Sequence, residues 1–307
     1  MRTTVIAAAA LCHLMVSAAF GQPVIPIQKD IVYCEVGDEK LALDLAQPVG
    51  MKGPFPLVVC IQGFGWQKHD RAPYQPIIQT LALNGYVAAT MSYRLAPRHK
   101  FPAAIEDVKC AVRFLRANAA KYQIDPKRVG AMGESTGGYL ALMLGLTGPS
   151  DGFDGSGGYA DQSSAVQAVA NYYGVTDFAN WFPAPSGILR IEEQFDRRFD
   201  MLLSDYLGSP EPNERKKTME RASPVTYVDS ADPPVLTFHG SADAVVPLDQ
   251  AKRLDTALRN AGVRHEFVMV DGGSHGWAGA AAERSTRRIL LFLEKELKGL
   301  ATAAVAK

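Results

Sequence analysis

Gly133-Glu134-Ser135-Thr136-Gly137 places a serine between two glycines. A serine that attacks a carbonyl must stand clear on a sharp turn from strand to helix. Glycines two residues to either side let those elements approach without Cβ clashes. The flanking residues supply that context, because Val129–Met132 reads as a buried strand and Tyr139-Leu140-Ala141-Leu142 as the start of a helix. A free serine hydroxyl is a weak nucleophile and needs a base. Of six histidines, His13 falls in an N-terminal apolar segment, and His69 and His99 lie in charged loops ahead of the serine. His265 opens a strand among charges, and His239 ends a buried one. His275 stands in Asp271-Gly272-Gly273-Ser274-His275-Gly276-Trp277, a loop directly after the last expected strand. Open α/β sheets hold their ligands at that carboxyl edge, so His275 is the expected base.

A third group must orient the imidazole. The serine's turn resembles that of the α/β-hydrolases, and that resemblance implies an acid between serine and histidine in chain order. Asp243, four residues after the strand that ends at His239, fits that position. The alternative reading of Asp243 is a helix cap, a role Asp249 fills better. Asp249 and Asp271 stay in reserve as the acid. Backbone donors for the developing oxyanion are expected from the amide of Thr136 and from the loop Gln62-Gly63-Phe64-Gly65-Trp66 after the first buried strand.

The elements that must position these groups alternate regularly. Residues 31–36 and 41–46 read as two strands around the turn Gly37-Asp38, an antiparallel hairpin. Residues 57–62, 86–91, 129–132, 166–172, 235–239 and 266–270 are apolar runs of the kind that parallel strands show when buried on both faces. Helices are expected over 76–84, 102–122, 136–146, 248–261 and 280–297, the second from apolar residues at Ile105, Val108, Val112, Leu115 and Ala119. Strand–helix alternation from residue 57 onward predicts an α/β fold, a mostly parallel central sheet with helices on both faces. Two segments break the rhythm. Residues 147–164, rich in Gly, Ser and Asp, read as an exposed loop. Residues 177–222 mix aromatics with charges and read as a partly helical insertion between the later strands.

Composition bounds the partners. The 307 residues are 47% hydrophobic and 21% charged, as in ordinary globular proteins, which excludes a fibre, a coiled coil or a disordered chain. Thirty-two basic residues balance 32 acidic ones, so nothing invites nucleic acid. Arg2, the apolar run from Val5 to Val16 and Ala19-Phe20-Gly21 read as a signal peptide over about residues 1–21. The mature chain then begins near Gln22, is secreted or periplasmic, and forms one domain over 22–307. No later stretch is long and apolar enough to span a bilayer, so no membrane partner is expected after cleavage. Cys34, Cys60 and Cys110 sit in apolar segments with no metal-ligand spacing, and read as buried core residues in preference to a disulfide.

Taken together, these stretches resemble the α/β-hydrolase esterases and lipases, a group that includes hormone-sensitive-lipase-like esterases and bacterial feruloyl and carbohydrate acetyl esterases. The resemblance covers roughly residues 30–298. It rests on the run from Pro56 to Trp66, on Ser92-Tyr93-Arg94-Leu95-Ala96-Pro97, on Phe101 to Val108, on Gly133 to Gly138 and on both C-terminal loops. It implies the α/β-hydrolase fold and a Ser135–His275–Asp243 triad working by acyl transfer, with no metal or cofactor. It further implies that Phe64 and Gly65 supply the second oxyanion donors. This chain departs from the family's His-Gly-Gly-Gly-Trp in having Gln62 and Phe64. A Cβ residue at Phe64 costs on the order of 1–2 kcal/mol if the position needs positive φ. Thr136 stands where the family commonly has Ala, a change expected to matter little.

The implied reaction is hydrolysis of short-chain acyl esters, with acetyl or feruloyl groups on plant polysaccharides as natural substrates. Trp66, Tyr139, Trp277 and the insertion's aromatics are candidates to line a substrate cleft; core packing is the competing role for such rings. Two rivals are a prolyl-oligopeptidase-like serine peptidase and a catalytically silent binding protein on the same scaffold. The oligomeric state has no signal in the sequence.

Overall fold

The computed structural model describes residues 25–299, apart from 69, 184, 196–197 and 209–211. The expected signal peptide and His69 lie outside the described residues. Strands β1 (Ile27–Val36) and β2 (Glu39–Ala46) form an antiparallel hairpin around Gly37, and β2 pairs antiparallel with β4 (Val87–Met91). From there β3 (Phe55–Ile61), β5 (Ile124–Glu134), β6 (Ala168–Tyr172), β7 (Val235–Gly240) and β8 (His265–Val270) run parallel. The sheet order is β1-β2-β4-β3-β5-β6-β7-β8. Every residue of β3 is buried, as helices on both faces require.

Helices α1 (Gln75–Leu83), α2 (Ala103–Ala117), α3 (Ala119–Tyr122) and α4 (Thr136–Leu146) follow in chain order. The insertion carries α5 (Pro185–Phe195), α6 (Phe199–Leu207) and α7 (Pro212–Ala222), and α8 (Asp249–Ala261) and α9 (Gly279–Lys298) complete the chain. One apolar layer lies between the sheet and α2, α4 and the insertion. The other lies between the sheet and α1 and α9. Nearly all of α4 is buried, because it is apolar all round and packs beneath the insertion. The described helices include none long and apolar enough to cross a membrane.

Two expectations need correction. The single helix expected over 102–122 breaks at Asn118, whose backbone and side-chain N–H groups both donate to the Phe114 carbonyl, at 3.0 and 2.8 Å. That side-chain bond competes with continuation of the helix, while the apolar periodicity runs on through α3. The segment 147–164 is only partly an exposed loop. Lys109 donates to Thr147 O at 2.8 Å, Arg113 to Asp154 O at 2.8 Å and to Gly158 O at 3.1 Å, and Arg116 to Ser163 O and Ala165 O. Phe153 is fully buried. Three cations spaced along one face of α2 need acceptors when buried, and the loop's carbonyls provide them.

Candidate active site

Ser135 is the residue between β5 and α4, held at φ 51° and ψ −120°. A non-glycine residue there is strained, and the surrounding glycines make the turn possible. A Cβ at Gly133 would collide with the Gly137 backbone, and one at Gly137 would collide with the Ile61 carbonyl. The Ser135 amide donates to Tyr172 O at 2.8 Å, which pins the turn to β6.

Ser135 Oγ lies 2.9 Å from His275 Nε2, and His275 Nδ1 lies 2.8 Å from Asp243 Oδ2. The carboxylate can only accept, so Nδ1 carries the proton and Nε2 is free to accept from the serine hydroxyl. Asp243 is itself held, because Oδ1 accepts the amides of Val245 and Val246 at 2.9 and 3.0 Å. Its side chain is fully buried, while that of His275 is 18% exposed. Neither reserve acid joins this line: Asp249 pairs with Arg253 at 2.6 Å, and Asp271 accepts from Ser241. Of the other described histidines, His99 pairs with Glu39 and His265 with Asp255. His239 sits 3.6 Å from Asp243, but its Nε2–H donates to Val246 O at 2.7 Å. Burial pushes its pKa below the usual imidazole value, so it stays neutral and leaves the Asp243 charge to His275.

The loop after β3 carries three consecutive residues at positive φ: Phe64 at 87°, Gly65 at 61° and Trp66 at 59°. Tyr93 fixes its start, since the phenol hydroxyl lies 3.0 Å from Gln62 O and 3.2 Å from Gly63 O. The Thr136 amide stands at the first turn of α4, where no helical acceptor exists for it. Gly65 departs from expectation. Its amide does not point freely into the space above the serine but donates to Thr136 Oγ1 at 2.8 Å. The Thr136 hydroxyl, which the sequence offered no reason to weigh, is therefore the acceptor that ties the loop to the turn.

The aromatic expectations divide. Trp66 and Tyr139 do not line an open cleft, being 4% and 0% exposed. Trp66 stacks on Tyr206 with centroids 4.1 Å apart and meets Tyr139, Phe178 and Trp181 in edge or tilted contacts. Rings that find so many partners satisfy themselves as core. Trp277, its indole N–H on Ser285 Oγ at 3.0 Å, borders a cavity of about 60 Å³ shared with Tyr74, Glu134, Tyr172 and Tyr173, which neither Ser135 nor His275 lines.

Glu134 and Tyr173 are further residues that sequence reasoning passed over. Glu134 is buried beside the serine, and its Oε2 accepts from Tyr173 OH at 2.8 Å. Burial raises its pKa above the ordinary 4.5, against the pull of the Tyr173 and Tyr74 hydroxyls and of His275. The Tyr173 ring packs edge-on against the His275 imidazole, centroids 4.7 Å apart. A charge at the end of a buried strand was the one signal in the sequence that marked Glu134 as unusual.

Residues 43–258 match the BD-FAE family. Among curated proteins, the chain is 30% identical to esterase LipQ of Mycobacterium tuberculosis, over 75% of this chain and 52% of LipQ. The chain spans about half the length of the curated relatives it matches. Among solved structures, a truncated carbohydrate esterase from gut microbiota superposes with a TM-score of 0.77 at 27% identity, covering 89% of this chain and 96% of that one. A bifunctional GH43-CE protein of Bacteroides eggerthii superposes with a TM-score of 0.73 at 31% identity, covering 88% of this chain and 38% of that one.

Proposed function

The chain belongs to the BD-FAE family and has the α/β-hydrolase fold, and on that premise we propose that it is an exported serine carboxylesterase for short-chain acyl esters. The observation that carries the reading is the unbroken hydrogen-bonded line from Ser135 Oγ through His275 to Asp243, beginning on a strained turn.

In this reading Ser135 Oγ attacks the ester carbonyl as His275 Nε2 takes its proton. Asp243 holds the imidazole in the receptive tautomer and stabilises the imidazolium without taking the proton itself. The Thr136 and Phe64 amides receive the oxyanion, and Gly65 joins them when its amide turns away from Thr136 Oγ1. Each donor contributes on the order of 3 kcal/mol to the transition state. The protonated imidazole then gives its proton to the departing alkoxide, leaving an acyl-Ser135. Water deprotonated by His275 releases the acid in the second half.

Acetyl or feruloyl groups on plant polysaccharides are the proposed natural esters. The carbohydrate esterase among the similar solved structures supports that choice. Export through the segment at about 1–21 belongs to the same reading, and N-terminal sequencing of the mature protein from the natural host is expected to begin at Gln22. The test of the chemistry is hydrolysis of p-nitrophenyl acetate, butyrate and octanoate by wild type and Ser135→Ala. Wild type is expected to prefer the short esters, and the variant to lose activity by about 10⁴-fold or more. Equal rates for the two proteins would remove the esterase reading. Rates that climb with acyl length would remove the short-chain one.

A further inference from the structure

Cys34 on β1 and Cys110 on α2 carry free thiols, both buried, on two elements that pack together. Both sulfurs donate to one oxygen, the carbonyl of Gly157, at 3.3 and 2.9 Å, which brings the two thiols side by side. The loop that strands across α2 brings that carbonyl in. Only a glycine allows the approach, because a Cβ at residue 157 would lie 2.6 Å from one sulfur and 2.9 Å from the other. Two thiols on separate elements, converging on one carbonyl and sealed under a glycine, are unlike the third. Cys60 lies within β3, and its thiol is pushed up by burial alone.

We propose that Cys34 and Cys110 are the two halves of a disulfide that clamps β1 to α2. Two sulfurs that converge on one carbonyl oxygen at 3.3 and 2.9 Å are close neighbours, and rotation about their Cα–Cβ bonds is the movement that would bring them to the ~2.05 Å bond length. Cys110 thiolate attacks an external disulfide, R–S–S–R, forming Cys110–S–S–R and releasing one thiolate. Cys34 then loses its proton and attacks the Cys110 sulfur, expelling the second R–S⁻. Two protein thiols and one external disulfide become one protein disulfide and two external thiols, so both electrons go to the oxidant. Because the sulfurs are covered in the folded chain, the exchange takes place during folding, before residues 155–158 close over them. On oxidation Gly157 O loses both its donors, so that loop segment becomes easier to open.

The proposal does not depend on the ester reading. The full chain is unfolded in guanidinium with dithiothreitol and refolded in a mixture of reduced and oxidised glutathione. It is then alkylated under denaturing conditions, digested and mapped by mass spectrometry. The expected result is a Cys34–Cys110 cross-linked peptide pair, lighter than the two free peptides by two hydrogens. Full alkylation of Cys34 and Cys110 overturns the proposal, as does either residue paired with Cys12, Cys60 or glutathione. A second measurement follows the clamp. Wild type refolded under oxidising conditions is expected to melt about 5 °C or more above its reduced form. Cys34→Ser and Cys110→Ser are each expected to lose that difference, and a wild type with equal melting temperatures in both states overturns the clamp.

Discussion

The Gly65 amide donates to Thr136 Oγ1, so the loop expected to receive the oxyanion and the residue that follows Ser135 are joined by one hydrogen bond. That bond competes with catalysis, since the same N–H cannot serve Thr136 and the oxyanion together. In the proposed mechanism it must break or bifurcate in the transition state, and a neutral hydrogen bond is worth about 1 kcal/mol. Thr136→Ala is therefore expected to raise kcat on short esters by about fivefold, and Thr136→Ser to leave it near wild type. A Thr136→Ala kcat at or below wild type would mean that the hydroxyl positions the loop more than it occupies the donor.

Tyr93 holds the same loop from the other side. Tyr93→Phe removes the hydroxyl facing the Gln62 and Gly63 carbonyls and leaves the ring in place. A drop in kcat of about 5–10-fold, with KM little changed, is expected for a loop that positions transition-state donors. An unchanged kcat together with a lowered melting temperature would reduce Tyr93 to a packing residue.

The fold around these residues was largely legible in the sequence. The buried run before Ser135 and the apolar helix after it identified β5 and α4, and the carboxyl-edge loops identified the segments that bring Asp243 and His275 to the serine. Periodicity reports only that a residue is apolar, so it could not say whether Trp66 and Tyr139 face a cleft or each other. Burial and ring stacking settled that. The same blindness hid Thr136 Oγ1 and Tyr93, because a side chain that hydrogen-bonds to a distant backbone leaves no periodic trace. At Asn118 a single side-chain bond ended a helix that the apolar pattern carried onward.

Glu134 gives the stability of the chain a pH dependence of stated sign. Burial raises its pKa in the fold, so the folded chain holds the proton more tightly than the unfolded chain. Its contribution is fully present below the ordinary 4.5 and is lost as pH rises through the folded value. Glu134→Gln keeps an acceptor for Tyr173 and removes the titration. Its melting temperature is expected to change less than that of wild type between pH 4.5 and neutrality. Parallel melting curves for the two proteins across that range would contradict the assignment.

Arg94 and Asp107 give the largest single stability effect expected outside the core. Asp107, its side chain 1% exposed, accepts the Arg94 amide at 2.7 Å and Nε at 2.9 Å. Arg94→Ala leaves that carboxylate buried without its countercharge, a loss of about 3–5 kcal/mol in denaturant unfolding at neutral pH. A loss under about 1 kcal/mol would place the pair with ordinary surface ion pairs.

Trp66 closes the loop that holds Phe64 and Gly65, and its indole lies flat on Tyr206 of the insertion. Whatever reshapes the insertion also presses on the proposed oxyanion loop through that pair of rings. Under the proposed esterase reading, residues 177–222 are thus not a module that evolution or an engineer can exchange freely to change which ester is accepted. A transplanted insertion must bring an aromatic ring to the same place, or the serine keeps its histidine while the loop proposed to receive the oxyanion loses its support. If the proposed esterase reading holds, divergence of specificity and retention of rate are in this chain a single packing problem.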